Sequence, residues 1–180
     1  MKKIPVIIIS SSDGMNLLKS IDALKKTRFF NDLKICVIDN CWAECSALNA
    51  IEKAKAEFMM IKTGEQIPSR YLITFAIRTA FKIFAPDADE CIIVESGAIP
   101  NNDIEFINLC NAANEIDNLA LAFQYAPTPK WPKIAVCTKC CYDALSQLGY
   151  FESAPLDGEL PWSTLMKSMQ SVGLTVVVGT

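Results

Sequence analysis

Two runs of consecutive apolar residues, Val6-Ile7-Ile8-Ile9 and Ile35-Cys36-Val37-Ile38, each stop abruptly at short polar residues, Ser10-Ser11-Ser12 and Asp39-Asn40. An unbroken apolar strand is buried on both faces, the habit of a parallel sheet covered by helices. Strands are predicted at about 5–10 and 33–38. Between them the period changes to that of a helix over 15–27, with Leu17, Leu18, Ile21 and Leu24 on one face and Lys19, Asp22, Lys25 and Lys26 on the other. A second helix over 43–56 places Ala47, Ala50, Ile51 and Ala54 inward and Glu52, Lys53 and Lys55 outward. A short strand over 57–62 ends at Thr63-Gly64. Pro68 suits the first turn of a long helix reaching 84, with Leu72, Phe75, Ala76, Thr79, Ala80 and Ile83 as its buried stripe. A fourth strand, Cys91-Ile92-Ile93-Val94, follows Asp89-Glu90 and ends at Glu95-Ser96-Gly97.

The remaining pattern is less regular. It predicts a helix over 102–114, a strand over 119–125, a proline-rich loop over 127–132 and a strand over 134–138. Helices over 141–148 and 161–172 and a strand over 174–178 complete it, with Trp162, Leu165, Met166, Met169 and Val172 as the core stripe of the last helix. Strands alternating with helices on short connections indicate an α/β fold with a mostly parallel sheet. At 180 residues, 51% of them apolar, the chain reads as one domain with an ample core. A net charge of −3 argues against nucleic acid or an anionic membrane as partner. No run has transmembrane length, and the apolar stretch after Met1-Lys2-Lys3 is too short for a signal peptide, so the expected compartment is cytoplasmic.

Absent motifs prune the chemistry. There is no glycine-rich dinucleotide fingerprint after the first strand and no Walker-type loop. With no histidine, neither a Ser-His-Asp nor a Cys-His arrangement is available, and acid–base work falls to carboxylates, lysine, tyrosine or thiols. Eight cysteines include Cys41-x-x-x-Cys45 and Cys137-x-x-Cys140, a spacing that could hold zinc. Cys137 falls in a strand, where residues three apart face opposite sides, and plain reduced thiols are the better reading. In a parallel sheet, ligands bind beyond the carboxyl ends of the strands, which is where Asp39 stands. A role in capping a turn or the next helix remains equally open for it.

The order of these segments resembles the GT-A-type, nucleotide-sugar-binding domain of family 2 glycosyltransferases. Val6-Ile7-Ile8-Ile9-Ser10-Ser11-Ser12 is similar to that family's opening strand, and Val37-Ile38-Asp39-Asn40 to the segment that holds the nucleotide base and ribose. Residues 73–80 fall where the family carries an Asn-x-Gly-x-x-x-Ala helix, with both Asn and Gly replaced. Ile92-Ile93-Val94-Glu95-Ser96-Gly97 lies where it carries an Asp-x-Asp metal motif. Residues 142–151 resemble its Leu-Gly-Gly-Phe segment, and Asp157-Gly158-Glu159 its acidic motif before the closing helix and strand.

The resemblance covers nearly the whole chain. It implies a three-layer α/β/α domain over 1–180, with a nucleotide-binding half at 1–100 and an acceptor-side half at 101–180. It implies a nucleoside-diphosphate sugar as ligand, contacted by Ser10, Asp39, Asn40 and Glu95, and Asp157 or Glu159 as the base for an acceptor hydroxyl. Glu95 is the one metal ligand left, because Gly97 replaces the second, so Mn²⁺ or Mg²⁺ would be held largely by the nucleotide phosphates. Asp87-Ala88-Asp89 precedes the strand and reads as a turn. Lys62 and Lys139 are candidate phosphate contacts; Arg28, Arg70 and Arg78 are the only arginines. Three alternatives stay open: an active glycosyltransferase, a degenerate binding or interaction module with a protein partner or a second copy, and, more remotely, a cysteine-based redox or zinc protein.

Overall fold

The computed structural model describes residues 3–10, 14–40, 46–54, 58–98, 108, 111, 115–124, 134–151 and 162–179. Strand β1 (Ile4–Ser10) leads to helix α1 (Gly14–Lys26), β2 (Leu33–Asp39), α2 (Ser46–Lys53), β3 (Met59–Lys62), α3 (Ser69–Thr79) and β4 (Glu90–Glu95). Then come β5 (Leu119–Gln124), β6 (Ile134–Thr138), α4 (Lys139–Gln147), α5 (Trp162–Ser171) and β7 (Thr175–Gly179). All seven strands join one sheet in the order β3-β2-β1-β4-β6-β5-β7. β6 pairs antiparallel with both β4 and β5, and every other pairing is parallel. Apart from residues 108 and 111, the expected helix over 102–114 lies outside the described residues, as does the loop over 127–132.

The alternation along each strand separates two apolar layers. Val6 and Ile8 of β1 with Ile35 and Val37 of β2 meet Leu17, Ile21 and Leu24 of α1 and Ala47, Ala50 and Ile51 of α2. Ile7 and Ile9 with Cys36 and Ile38 point the other way, onto Leu72, Ala76 and Ile77 of α3, Leu145 of α4 and Met169 of α5. Because both faces of β1 and β2 are covered, these strands carry no polar alternation, and each buried Ile or Val contributes about 2 kcal/mol of transfer free energy. No helix among the described residues is long and apolar enough to cross a membrane.

Two expectations about the core are corrected. Ile83 was predicted to be buried, yet it is 59% exposed while Phe81 and Phe84 are 2% and 4% exposed. The cause is local: α3 passes into a π turn over Ala80–Phe84, in which the Ala85 N–H donates to the Ala80 carbonyl at 2.8 Å. That five-residue spacing widens one turn and rotates later side chains off the α-helical stripe. Val172 is likewise exposed rather than part of the α5 stripe. The helix has ended at Ser171, and the Leu174 N–H folds back to the Met169 carbonyl at 3.1 Å through Gly173, whose φ is 80°.

Candidate functional site at the strand carboxyl ends

From β1 the chain moves outward through β2 and β3, then returns to place β4 on the other side of β1. Such a reversal opens a crevice beyond the carboxyl ends of the central strands, where α/β sheets take their ligands. Ser10 ends β1, Asp39 ends β2 with Asn40 next in the chain, Lys62 ends β3 with Thr63 next, and Glu95 ends β4. Ser10 stands in register with Asp39, Asp39 with Lys62, and Ile9 with Glu95. The four candidate donor-contacting residues, Ser10, Asp39, Asn40 and Glu95, are therefore brought to one end of the sheet.

Their environments differ sharply. Ser10 is fully buried, and its hydroxyl has no hydrogen-bond partner among the described residues. Asp39 is 2% exposed, an uncommon burial for a carboxylate at a strand end. Glu95 is exposed. Asn40, 2% exposed, is occupied by the protein itself. Its backbone N–H donates to the Ser10 carbonyl at 2.8 Å. The side-chain Nδ2 donates to the Ile67 carbonyl at 2.8 Å, and Oδ1 accepts from the Ile67 N–H at 2.7 Å and from Thr63 Oγ1 at 3.1 Å. With these bonds the Asn40 carboxamide is a strut that fixes the β3–α3 connection, which accounts for its presence without a ligand.

The turn after β4 is fastened to α1. The Gly97 N–H donates to Ser20 Oγ at 2.8 Å and to the Asn16 carbonyl at 3.1 Å, and Ser20 Oγ donates to the Ala98 carbonyl at 3.1 Å. Gly97 has φ 89°, a conformation that side-chain-bearing residues rarely adopt. An acid at this position would therefore be strained by the backbone conformation. Ser20 and Thr63 did not stand out in the sequence reading. The available signal was a buried polar residue, Ser20, set among the Leu17, Ile21 and Leu24 stripe of α1.

Other candidates separate from this end. Asp157 and Glu159 lie outside the described residues, as do Cys41 and Cys45. Lys139 lies at the opposite end of the sheet: its N–H donates to the Asp89 carbonyl at 2.8 Å, and its Nζ sits 4.3 Å from the Tyr142 ring centroid. It is no phosphate contact for this crevice. Arg78 is on the exposed side of α3. Asp87-Ala88-Asp89 forms the turn before β4, with the Ala88 N–H on the Ala85 carbonyl at 3.0 Å.

Cys137 is buried in β6 while Cys140 is exposed on α4, so the pair does not converge on a metal, and no group of three potential ligands does so among the described residues. Burial pushes the Cys36 thiol up to about 11, and burial followed by the Cys141 thiol raises Cys137. These thiols are protonated packing groups.

A cavity of about 430 Å³ lies at the amino ends of β2 and β3, lined by Lys25, Lys34, Phe30, Phe58 and Phe84 among others. Lys25 Nζ donates to the Ala54 carbonyl after α2, and Lys34 Nζ donates to the Phe84 carbonyl at 2.8 Å after α3. Both lysines close helix carboxyl ends, and the cavity lies at the far end of the sheet from the crevice.

No protein-family model matches the chain, and no curated protein matches it in sequence. Solved structures do. A mannosyltransferase from Pyrobaculum calidifontis in complex with GDP-Man and Mn²⁺ superposes with TM-score 0.73 at 11% identity, covering 99% of this chain and 55% of that one. TarS residues 1–349 from S. aureus gives TM-score 0.66 at 12% identity, covering 99% and 58%. A 4-diphosphocytidyl-2C-methyl-D-erythritol synthase from Anaerococcus prevotii gives 0.64 at 10% identity, covering 98% and 88%. The chain thus spans little more than half the length of the first two structures and most of the synthase. At these identities the likeness speaks for the fold: the chain has the α/β fold of the GT-A-type nucleotide-diphospho-sugar transferases.

Proposed function

We propose that the chain binds a nucleoside-diphosphate sugar in the crevice beyond β1, β2 and β4 and delivers the sugar to an acceptor. The observation that carries this reading is the Ser10 hydroxyl, without a hydrogen-bond partner among the described residues and buried beside the buried Asp39 at the point where strand order reverses. An unmatched buried hydroxyl costs free energy in the apo protein, and a ligand that bonds it recovers that cost. In this reading Asp39 accepts hydrogen bonds from the ribose or base, and Ser10 completes that contact. Asp157 or Glu159 takes the proton from the acceptor hydroxyl. Residues 1–100 form the nucleotide half and 101–180 the acceptor half.

A divalent cation would neutralise charge on the departing diphosphate. The residues present fit a cation carried by the nucleotide: Glu95 offers one exposed carboxylate and Gly97 none, which suits Mg²⁺ or Mn²⁺ holding phosphates and water for most of its ligands. A second reading, a binding module without transfer chemistry, is favoured by Gly97, which supplies no second acid and whose backbone conformation strains one. Both readings share the nucleotide site.

Thermal shift against a panel of nucleoside diphosphates and their sugars tests it. At least one is expected to raise Tm by mass action. Ser10→Ala supplies the diagnostic split. It removes an orphan polar group and should raise apo stability by about 1 kcal/mol, while weakening the nucleotide-induced shift. Asp39→Ala should abolish the shift. A panel that leaves Tm unchanged overturns the proposal, and sugar transfer to added acceptors separates the two readings.

A further inference from the structure

The turn that lacks the second acid is not empty on that side. A Cβ built on Gly97 would have as its three nearest heavy atoms the Cβ, Cγ and Oδ1 of Asn16, at 3.5, 3.5 and 3.7 Å. Asn16 belongs to the first turn of α1, so its carboxamide arrives from a different element into the space where a side chain at 97 would begin. Two contacts tie the backbone of that helical turn to the turn after β4: the Asn16 main-chain carbonyl accepts the Gly97 N–H at 3.1 Å, and Ser20, one turn further along α1, accepts from the same N–H and donates to the Ala98 carbonyl. The first turn of α1, which carries Asn16, and the Glu95-Ser96-Gly97 turn are thereby fixed relative to one another, with the Asn16 side chain at van der Waals distance from where a Cβ on Gly97 would stand.

We propose that the Asn16 carboxamide oxygen serves as the second protein ligand to the nucleotide-bound divalent cation, in place of the acid that Gly97 cannot carry. The proposal rests on the nucleotide-sugar reading above and concerns the same site. An amide oxygen is a hard, neutral ligand of the kind Mg²⁺ and Mn²⁺ accept alongside carboxylate, phosphate and water. Replacing a carboxylate by an amide lowers the negative charge facing the phosphates by one. The site then depends on the nucleotide to bring the cation and shows little affinity for the bare ion. Asn16 also sits at the amino end of a thirteen-residue helix, whose dipole favours the same phosphates.

The test is the Mn²⁺ dependence of nucleotide stabilisation, read as Tm at fixed GDP or UDP over a Mn²⁺ titration. The wild-type chain should gain a Mn²⁺-dependent increment. Asn16→Ala keeps the backbone bond to Gly97 and should raise the Mn²⁺ midpoint about tenfold or more, leaving the metal-free nucleotide shift in place. Asn16→Asp restores a carboxylate and should lower the midpoint below wild type.

A role confined to packing would move the apo Tm and leave both midpoints unchanged, which overturns the proposal. A wild-type chain stabilised by nucleotide but indifferent to Mn²⁺ overturns it as well, with the nucleotide reading intact. A chain indifferent to every nucleotide overturns that reading and this one together.

Discussion

Replacing Asn40 by alanine isolates a structural role from a ligand role. Its carboxamide makes three bonds to the β3–α3 connection, with the Ile67 carbonyl, the Ile67 N–H and Thr63 Oγ1. The Thr63 hydroxyl has a second acceptor, the Asp39 carbonyl at 3.2 Å, so it loses little. The two Ile67 groups are part-buried and lose their partner outright. At about 1 kcal/mol each, with a smaller amount for Thr63, Asn40→Ala should cost about 2–3 kcal/mol. For a chain of this length that is a Tm decrease of roughly 5–10 °C. Asn40→Asp retains the acceptor and loses the Nδ2 donor, so it should cost about 1 kcal/mol plus the repulsion of a second carboxylate beside Asp39. Urea denaturation with an unchanged m-value is the measurement. A cost for Asn40→Ala below about 0.5 kcal/mol would refute the strut and return Asn40 to the set of ligand contacts.

The π turn predicts opposite outcomes at neighbouring positions. Phe81→Ala should cost about 3–5 kcal/mol by chemical denaturation, whereas Ile83→Ser, on an exposed side chain, should stay within about 0.5 kcal/mol. In native thiol labelling followed by peptide mass spectrometry, Cys140 should react rapidly, while Cys36, Cys91, Cys137 and Cys141 should react only on unfolding. The Cys36 thiol has a folded pKa raised from 9.0 to about 11, so the protonated form is favoured by the fold. Its contribution is complete below pH 9 and is lost as pH rises through about 11, and Cys36→Ala should blunt that alkaline loss.

The parallel half of the sheet was legible because β1, β2 and β4 are covered on both faces, and burial of that kind writes itself as continuous apolar runs. Their polar stops were equally legible, and Ser10, Asp39, Asn40 and Glu95 do gather at one end. What each residue does there was not legible. Asn40 reads like a ligand until Thr63 and Ile67 are seen bonded to it, since a side chain's partner across a connection leaves no periodic trace. Lys139 shows the reverse error, a plausible phosphate contact carried to the far end by the antiparallel run of β6. Ile83 was misplaced because a π turn adds a residue to one helical turn without any composition signal. Gly97 looked like the simple loss of an acid, and only its φ reveals that the backbone there would strain one.

The position of β6 has a consequence for how the chain is made. β4, with Cys91, Ile92, Ile93 and Val94 all buried, borders β1 on one side and β6 on the other. Until residues 134–138 have emerged, that second border is a bare apolar edge, open to pairing with any other extended segment. β5 precedes β6 in the chain but pairs with β6 and β7, so it has no place in the sheet before they arrive. Docking the second half is therefore a late, non-local step, of the kind that slows folding and exposes strand edges while it is pending. A chain halted at residue 124 would carry both an uncovered β4 and an orphaned β5. Such a fragment should aggregate, even though residues 4–98 hold four strands in their native order.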